Sequence, residues 1–290
     1  MQFFRVTRDG APRLVVREDR EAEAYDVTAA RRGLRTYRDL LSATTIADAE
    51  PDEVVRWLRA DADPVPRERL AADAKRPLDP DEVWAAGVTY RISEDARESE
   101  SGTPDIYVDV YDSERPEVFF KATPSRTVGP GEAVGVRADS SWDVPEPELG
   151  LVLYEGEIVG YTVGNDVSSR DIEGANPLYL PQAKIYDRSC AVGPCVVSPA
   201  GIDPADVAVS LVVERDGGVV YEGTTSTAKM VRSYDELASY FRRHNAVPEL
   251  AVLLTGTTLV PGDDFTLRPG DVTRIEIEGV GVLENPVVEV

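Results

Sequence analysis

Apolar and polar residues follow different patterns in the first and the later parts of the chain. Residues 1–20 predict two short strands around a turn, and residues 27–60 carry the spacing of amphipathic helices. Residues 61–82 then bring four prolines and many charges. We therefore predict a small N-terminal α/β domain, residues 1–76, followed by a second domain.

The second predicted domain, residues 77–290, is β-rich. Short apolar runs alternate with Gly and Pro turns from Val83 onward. One amphipathic helix is predicted at Ser233–His244. This pattern favours an α+β fold whose larger part is a mixed β-sandwich roll.

Three acidic residues occupy an informative stretch of this domain. Glu146 and Glu148 are two positions apart, so on a strand they face the same way. A turn is predicted at Gly156. If the hairpin loop has an odd length centred there, Glu146 lies opposite Asp166 and Glu148 lies opposite Gly164.

This register divides the hairpin into two contrasting faces. The apolar face holds Leu149, Leu151, Leu153, Val159, Tyr161 and Val163. The other face holds the three acids together with Gly150, Gly160, Thr162 and Gly164. Clustered carboxylates repel one another unless a cation joins them, and oxygen ligands suit Mg²⁺, with Mn²⁺ or Ca²⁺ as alternatives. The other interpretation is a solvated acidic strand face, which would have no use for the glycines.

The formal net charge of −22 argues against nucleic acid and anionic membranes as partners. Only four of the 31 basic residues are lysines. An acidic excess with so little lysine is typical of proteins from organisms with molar salt in the cytoplasm, where screening reduces self-repulsion. An acidic protein from a GC-rich genome is the alternative.

Cysteine and histidine are scarce. Cys190 and Cys195 have a spacing that fits no common zinc pattern, so we predict buried free thiols. The single histidine, His244, lies at the end of the predicted helix, which favours a surface or C-cap position. No histidine-based catalytic motif is visible. The N-terminus shows neither a basic leader nor an apolar span, so we expect a cytoplasmic location.

Several sequence blocks resemble the metal-binding core of the fumarylacetoacetate hydrolase superfamily. They include PEPELGLVL, GYTVGNDVSSRD and LPQAKIYDRSCAVGP, and the resemblance runs in order over residues 78–290. It implies three metal ligands: Glu146, Glu148 and Asp166. It also implies a catalytic role for Lys184 beside the metal and a substrate-binding role for Thr257 in the TGTT turn.

Within that superfamily, RPEVFFKATPSRTVGPGEAVGVR and STAKMVR are most similar to the archaeal sugar-acid dehydratase branch. This similarity implies dehydration of a 2-keto-3-deoxy-D-pentonate to 2,5-dioxopentanoate by a homo-oligomer, dimer or tetramer. We expect Glu117 to be the acid/base and Lys184 the second catalytic candidate. We expect Lys121 to bind the substrate carboxylate.

Hydrolases of the superfamily carry a lid histidine just after the Gly-x-x-Tyr block, whereas GVTYRISEDARESES contains none. Hydrolysis needs a base to activate water, so this absence favours dehydration. The alternatives are an acylpyruvate or fumarylpyruvate-type hydrolase, an oxaloacetate decarboxylase, or a non-catalytic ligand-binding relative. Residues 91–105 are predicted to be either a mobile lid or a solvated loop.

Overall fold

The computed structural model describes residues 1–18, 23–90, 110 and 113–290. The segment 91–105, for which a lid or a solvated loop is predicted, lies outside the described residues. No helix in the described ranges is long and apolar enough to cross a membrane.

The N-terminal part follows the predicted order of strands and helices. A tight turn at Asp9 and Gly10, both with positive φ, joins the first two strands. Its strands are β1 Gln2–Arg8, β2 Ala11–Arg17, β3 Ala24–Asp26, β4 Asp63–Val65 and β5 Ala74–Lys75. Its helices are α1 Val27–Ala30, α2 Tyr37–Ala47, α3 Pro51–Leu58 and α4 Arg67–Asp73.

The rest of the described chain is mostly β-strand. Its strands are β6 Glu82–Gly87, β7 Glu117–Ala122, β8 Thr127–Val128, β9 Val134–Val136, β10 Asp143–Val144, β11 Pro147–Tyr154, β12 Glu157–Asp166, β13 Ser168–Ser169, β14 Cys190–Val197, β15 Ala208–Arg215, β16 Gly218–Ser226, β17 Leu250–Leu254, β18 Val272–Ile277 and β19 Gly281–Glu289. Its helices are α5 Arg170–Ala175, α6 Leu180–Lys184 and α7 Tyr234–Arg242. The Ser233 side chain caps α7 by accepting a hydrogen bond from the Glu236 amide, as the predicted helix start requires.

One large sheet runs through both parts of the chain in the order β4-β3-β2-β1-β14-β12-β11-β17-β6-β7. Strand β1 pairs with β14, so the N-terminal strands extend the sheet that carries β11 and β12. The division into residues 1–76 and 77–290 stays a prediction.

Two apolar layers cover the large sheet. On one face, a five-stranded sheet in the order β16-β15-β18-β19-β9 packs against it, with Leu151, Leu211 and Ile275 in one buried cluster. On the other face, the N-terminal helices bury Leu40 and Val54 in a cluster with residues of β6, β11 and β17. This arrangement is the α+β sandwich that the sequence predicts.

The hairpin of β11 and β12 has the predicted register at its acidic end, but the loop and the strand pairing that produce this register differ from the prediction. Glu148 pairs with Gly164, as expected. The loop, however, contains two residues, Glu155 and Gly156, both with positive φ, so the prediction of an odd loop is wrong. A β-bulge that leaves Val159 as the extra residue restores the register.

The glycines on the acidic face are buried and allow close packing, so this face is not the solvated alternative. A Cβ atom on Gly164 would lie 2.3 Å from Leu254 Cδ2, and one on Gly160 would lie 2.5 Å from Val196 Cγ1. Their absent side chains leave room for the apolar residues of neighbouring strands.

Candidate functional site

The structure brings the three predicted acids together. Glu146 immediately precedes β11, Glu148 lies within this strand, and Asp166 ends β12. One carboxylate oxygen from each residue lies within 4.8 Å of the others. The three residues are only 6%, 2% and 1% exposed, respectively. Their proximity follows from the pairing of β11 with β12, which places the end of one strand beside the start of the other.

Lys184, the last residue of α6, links two of these acids. Its Nζ lies 2.8 Å from Glu146 Oε2 and 3.5 Å from Asp166 Oδ2, and it donates a 2.6 Å hydrogen bond to Ser168 Oγ. Burial lowers the pKa of Lys184, but the charges of Asp166 and Glu146 outweigh it and hold this pKa well above its usual value. Lys184 is therefore a permanent cation beside the acids.

Lys121 lies behind the acids and does not line the cavity. Its side chain is fully buried, with Nζ 2.5 Å from Asp166 Oδ1. The ammonium also donates hydrogen bonds to the carbonyls of Val167 and Lys184, at 2.9 and 2.5 Å. This position does not fit the predicted contact with a substrate carboxylate. The position is instead consistent with a structural role, in which Lys121 orients Asp166 and binds the carbonyl at the end of α6.

Arg170 is a site residue to which the sequence reasoning assigned no role. It begins α5, and its Nη2 lies 3.3 Å from Glu146 Oε1. Its Nη1 lies 3.9 Å from Glu173 Oε2, which adds a further carboxylate to the site. Arg170 ends the GYTVGNDVSSR run that contains Asp166. Its position close to this acid was the sequence signal that could have identified it as a site residue.

Of the three acids, Glu148 is the one that forms no ion pair with a cationic side chain among the described residues. Its Oε2 accepts a 2.6 Å hydrogen bond from the Gly256 amide. Burial and repulsion from Asp166 and Glu146 raise the pKa of Glu148 well above its usual value. Burial also acts on Glu146, but Lys184 and Arg170 outweigh it and lower the pKa of that carboxyl. A divalent cation would relieve the repulsion on Glu148, so this oxygen-only donor set fits Mg²⁺, Mn²⁺ or Ca²⁺.

Glu117 opens β7 directly opposite Gly87 in β6. A Cβ atom on Gly87 would lie 2.0 Å from Glu117 Oε2, so the carboxylate occupies space that any larger residue would fill. Burial raises the pKa of Glu117 to about 7, against the opposing effect of Lys184 and with the help of Glu173 and Glu146. A carboxyl group with this pKa can exchange a proton near neutral pH.

These groups face one cavity of about 280 Å³. Thr257 lies on its wall, and Thr257 Oγ1 accepts a hydrogen bond from the Leu259 amide at 3.0 Å, which leaves the hydroxyl proton available to a ligand. The remaining lining includes residues that the sequence did not single out: Tyr90, Phe119, Thr258 and Lys229. Most lie far along the chain from the acids, so spacing could not identify them.

The cysteines and the histidine lie outside this cavity lining. Cys190 and Cys195 are free and buried, which confirms the prediction, and burial raises the pKa of Cys190 to about 12. His244 is exposed just after α7, with a left-handed φ of 59°, in agreement with a surface position.

Comparison with known proteins shows clear relationships over the whole chain. Residues 82–288 match the family described as "Fumarylacetoacetate (FAA) hydrolase C-terminal". A Haloferax volcanii protein named "Probable 2-keto-3-deoxyxylonate dehydratase" is 58% identical over 100% of both chains. A Saccharolobus solfataricus "2-dehydro-3-deoxy-D-arabinonate dehydratase" is 46% identical over 73% of each chain. The relationship to a Haloferax protein fits the predicted salt-adapted composition.

A solved structure agrees with these sequence matches. "2-keto-3-deoxy-D-arabinonate dehydratase complexed with magnesium and 2,5-dioxopentanoate" superposes with a TM-score of 0.84 at 36% identity. The match covers 100% of this chain and 99% of the other. The fold is therefore that of the dehydratase structures, and the fold prediction is confirmed.

Proposed function

The chain belongs to the fumarylacetoacetate hydrolase family, and we propose that it catalyses the dehydration of a 2-keto-3-deoxy-D-pentonate to 2,5-dioxopentanoate. The observation that carries this proposal is the buried triad of Glu146, Glu148 and Asp166 beside a cavity that also holds Glu117 and Lys184. The end-to-end similarity to proteins named as dehydratases supports the choice of reaction.

In this proposal, Glu146, Glu148 and Asp166 would hold Mg²⁺, and the bound ion would supply Lewis-acid chemistry for a 2-keto acid substrate. A magnesium ion in the similar dehydratase structure supports this ion, and the carboxylate donors would also accept Mn²⁺ or Ca²⁺. Asp166 is held in place by ion pairs with Lys121 and Lys184. Glu146 is held in place by ion pairs with Arg170 and Lys184. Held carboxylates lose little freedom when they bind a cation.

Glu117 is the proposed acid/base. It removes a proton from C3 of the substrate and then, as the acid, returns a proton to the C4 hydroxyl, which leaves as water when the C4–O bond breaks. Loss of this water and tautomerisation of the remaining chain give 2,5-dioxopentanoate. The pKa of about 7 lets Glu117 take up and release a proton near neutral pH, and Gly87 leaves the space in which its carboxylate lies.

Lys184 provides a fixed positive charge in the same cavity. Negative charge develops on the substrate when the C3 proton leaves, and on the C4 oxygen when its bond breaks. A buried ammonium that is already oriented by Glu146 and Ser168 stabilises such charge without reorganising. Lys184 therefore contributes to binding and to turnover.

The proposal is tested by comparing substrates side by side. The purified protein is incubated with Mg²⁺ in molar KCl and offered 2-keto-3-deoxypentonate, acetylpyruvate or oxaloacetate. Aldehyde formation from the sugar acid, followed with a coupling dehydrogenase, is the expected result. Cleavage of acetylpyruvate or loss of CO₂ from oxaloacetate, without aldehyde formation, would favour the alternative enzymes. No turnover of any substrate would favour a ligand-binding relative.

Two further features belong to this proposal. A small-molecule 2-keto sugar acid is the expected partner, and neither nucleic acid nor a membrane suits a chain with a net charge of −22. A cytoplasmic location and a homo-oligomeric state, dimer or tetramer, stay predictions from the sequence.

A further inference from the structure

Lys229 lies on the wall of the cavity, in a part of the chain far from the acids. It ends a short 3₁₀ turn, Thr227–Lys229, that follows β16. At the start of the turn, Thr227 Oγ1 donates a 2.9 Å hydrogen bond to the Pro204 carbonyl. Met230, the residue after Lys229, forms a β-bridge with Tyr90. Tyr90 lines the same cavity, so the bridge to Met230 holds this end of the turn beside the cavity wall.

Among the described residues, no carboxylate forms an ion pair with Lys229. Two other cationic side chains among the described lining residues, Lys184 and Arg170, form ion pairs with Glu146. Lys229 is exposed and forms no ion pair within the described part of the chain. It is thus a cation on the cavity wall that remains available to an anionic ligand.

The turn that carries Lys229 is adjacent to the turn that carries Thr257. Thr258 Oγ1 lies 2.9 Å from Thr225 Oγ1, which joins the TGTT turn to β16 just before Lys229. Thr257 lines the cavity, and its hydroxyl accepts from the Leu259 amide, so its proton is free to be donated to a ligand. An ammonium and a hydroxyl on adjacent turns form a donor pair that suits a carboxylate.

We infer that Lys229 binds the C1 carboxylate of the 2-keto acid substrate, beside Thr257, for which the family resemblance already implies a substrate-binding role. This inference rests on the proposed function for the identity of the substrate. It assigns to Lys229 the role that the sequence had suggested for Lys121, which is fully buried behind Asp166. Lys184 and Arg170 share their charges with Glu146, whereas Lys229 adds a cation that no carboxylate among the described residues shares.

The test uses two ligands that share a carboxylate and a 2-keto group but differ beyond C3. KM for 2-keto-3-deoxypentonate and the dissociation constant of pyruvate, measured by calorimetry, are compared in Mg²⁺-loaded parent, Lys229→Met and Lys229→Arg. Lys75→Met is the matched control, because Lys75 is an exposed lysine outside this cavity. All measurements are made at one KCl concentration, since salt screens the contact.

Loss of a charged hydrogen bond should weaken both ligands by a similar factor, about 10- to 100-fold in Lys229→Met. Lys229→Arg should recover most of the affinity, and Lys75→Met should behave as the parent. An increase in KM with unchanged pyruvate binding would overturn the inference, because Lys229 would then contact the C4–C5 end. Unchanged constants for both ligands, or a parent that binds no pyruvate, would also overturn it.

If the proposed dehydratase function is wrong but the carboxylate contact is correct, the same measurements give a different result. If the parent forms no aldehyde but Lys229→Met still loses pyruvate affinity, the carboxylate contact stands and the dehydratase assignment is wrong.

Discussion

Gly87 and Glu117 face each other across β6 and β7, and a Cβ atom on Gly87 would lie 2.0 Å from Glu117 Oε2. The position of the carboxylate thus depends on the absence of a side chain on the neighbouring strand. Because the contact is with the end of a flexible side chain, the carboxylate can be displaced without disturbing the sheet.

We expect Gly87→Ala to reduce turnover by about 10-fold or more, because proton transfer depends on the position of the acid/base. Stability should change little, since only the end of the Glu117 side chain must move. Gly33→Ala is the control, because a Cβ atom there meets nothing within 4 Å. Turnover at the parent level would show that Glu117 acts from another position or not at all.

Substitution Glu117→Gln keeps the size of the side chain but removes its ability to exchange a proton. Turnover should fall by about 10² to 10⁴, while Mg²⁺ and substrate binding survive. Glu114→Gln, three residues earlier and exposed, is the matched control. A variant that forms aldehyde as fast as the parent would transfer the acid/base role to another group, with Lys184 the next candidate.

The pH dependence should report the same group. As the base, Glu117 must be ionised, so kcat/KM should fall as the pH decreases through its pKa. The pKa is about 7 without a metal, and a bound cation lowers it, so the acidic limb should lie at or below about pH 7. Glu117→Gln should abolish this limb, and a variant with an unchanged limb would contradict the assignment.

Lys184→Met should raise KM and lower kcat together. The ammonium meets the substrate in the ground state and also stabilises the charge that develops during the reaction. This pattern differs from Glu117→Gln, for which kcat alone should change. Steady-state kinetics with Lys75→Met as the control separate the two, and an unaltered KM in Lys184→Met would remove its ground-state role.

Glu148→Gln should abolish or severely weaken Mg²⁺ binding without loss of the fold. The parent should gain thermal stability from Mg²⁺, because a ligand that binds only the folded state stabilises it. In the variant this gain should disappear, while the melting temperature without Mg²⁺ should not fall, since the repulsion on Glu148 is gone. Glu289→Gln, exposed in β19, is the control. Calorimetry showing the parent Mg²⁺ affinity in Glu148→Gln would refute the triad.

Lowering KCl from molar to about 0.1 M should reduce the melting temperature. At the lower concentration charges interact over about 10 Å rather than about 3 Å, so repulsion among the acidic residues that give the net charge of −22 acts against the folded state. A protein of ordinary net charge, melted in the same buffers, is the control. A melting temperature that does not fall would remove the salt-adapted interpretation and leave the proposed reaction untouched.

The sequence by itself determined which acids share a strand face. Side chains alternate along a strand, so the spacing of Glu146 and Glu148 placed them on one side, and the apolar alternation selected the partner of each. The loop length was wrong, because a two-residue turn and a bulge at Val159 give the same register at the acidic end. The turn and the bulge are local features of the backbone, and the residues of the hairpin itself encode them.

Tertiary structure decided which side of the acids each cation occupies. Lys121 and Lys184 both lie in blocks that the sequence singled out, yet one is buried behind Asp166 and the other faces the cavity. Lys229 reaches the cavity from a segment far from the acids along the chain, whereas Arg170 closely follows Asp166. These positions depend on the packing of strands and turns that are distant along the chain, and no local periodicity encodes that packing.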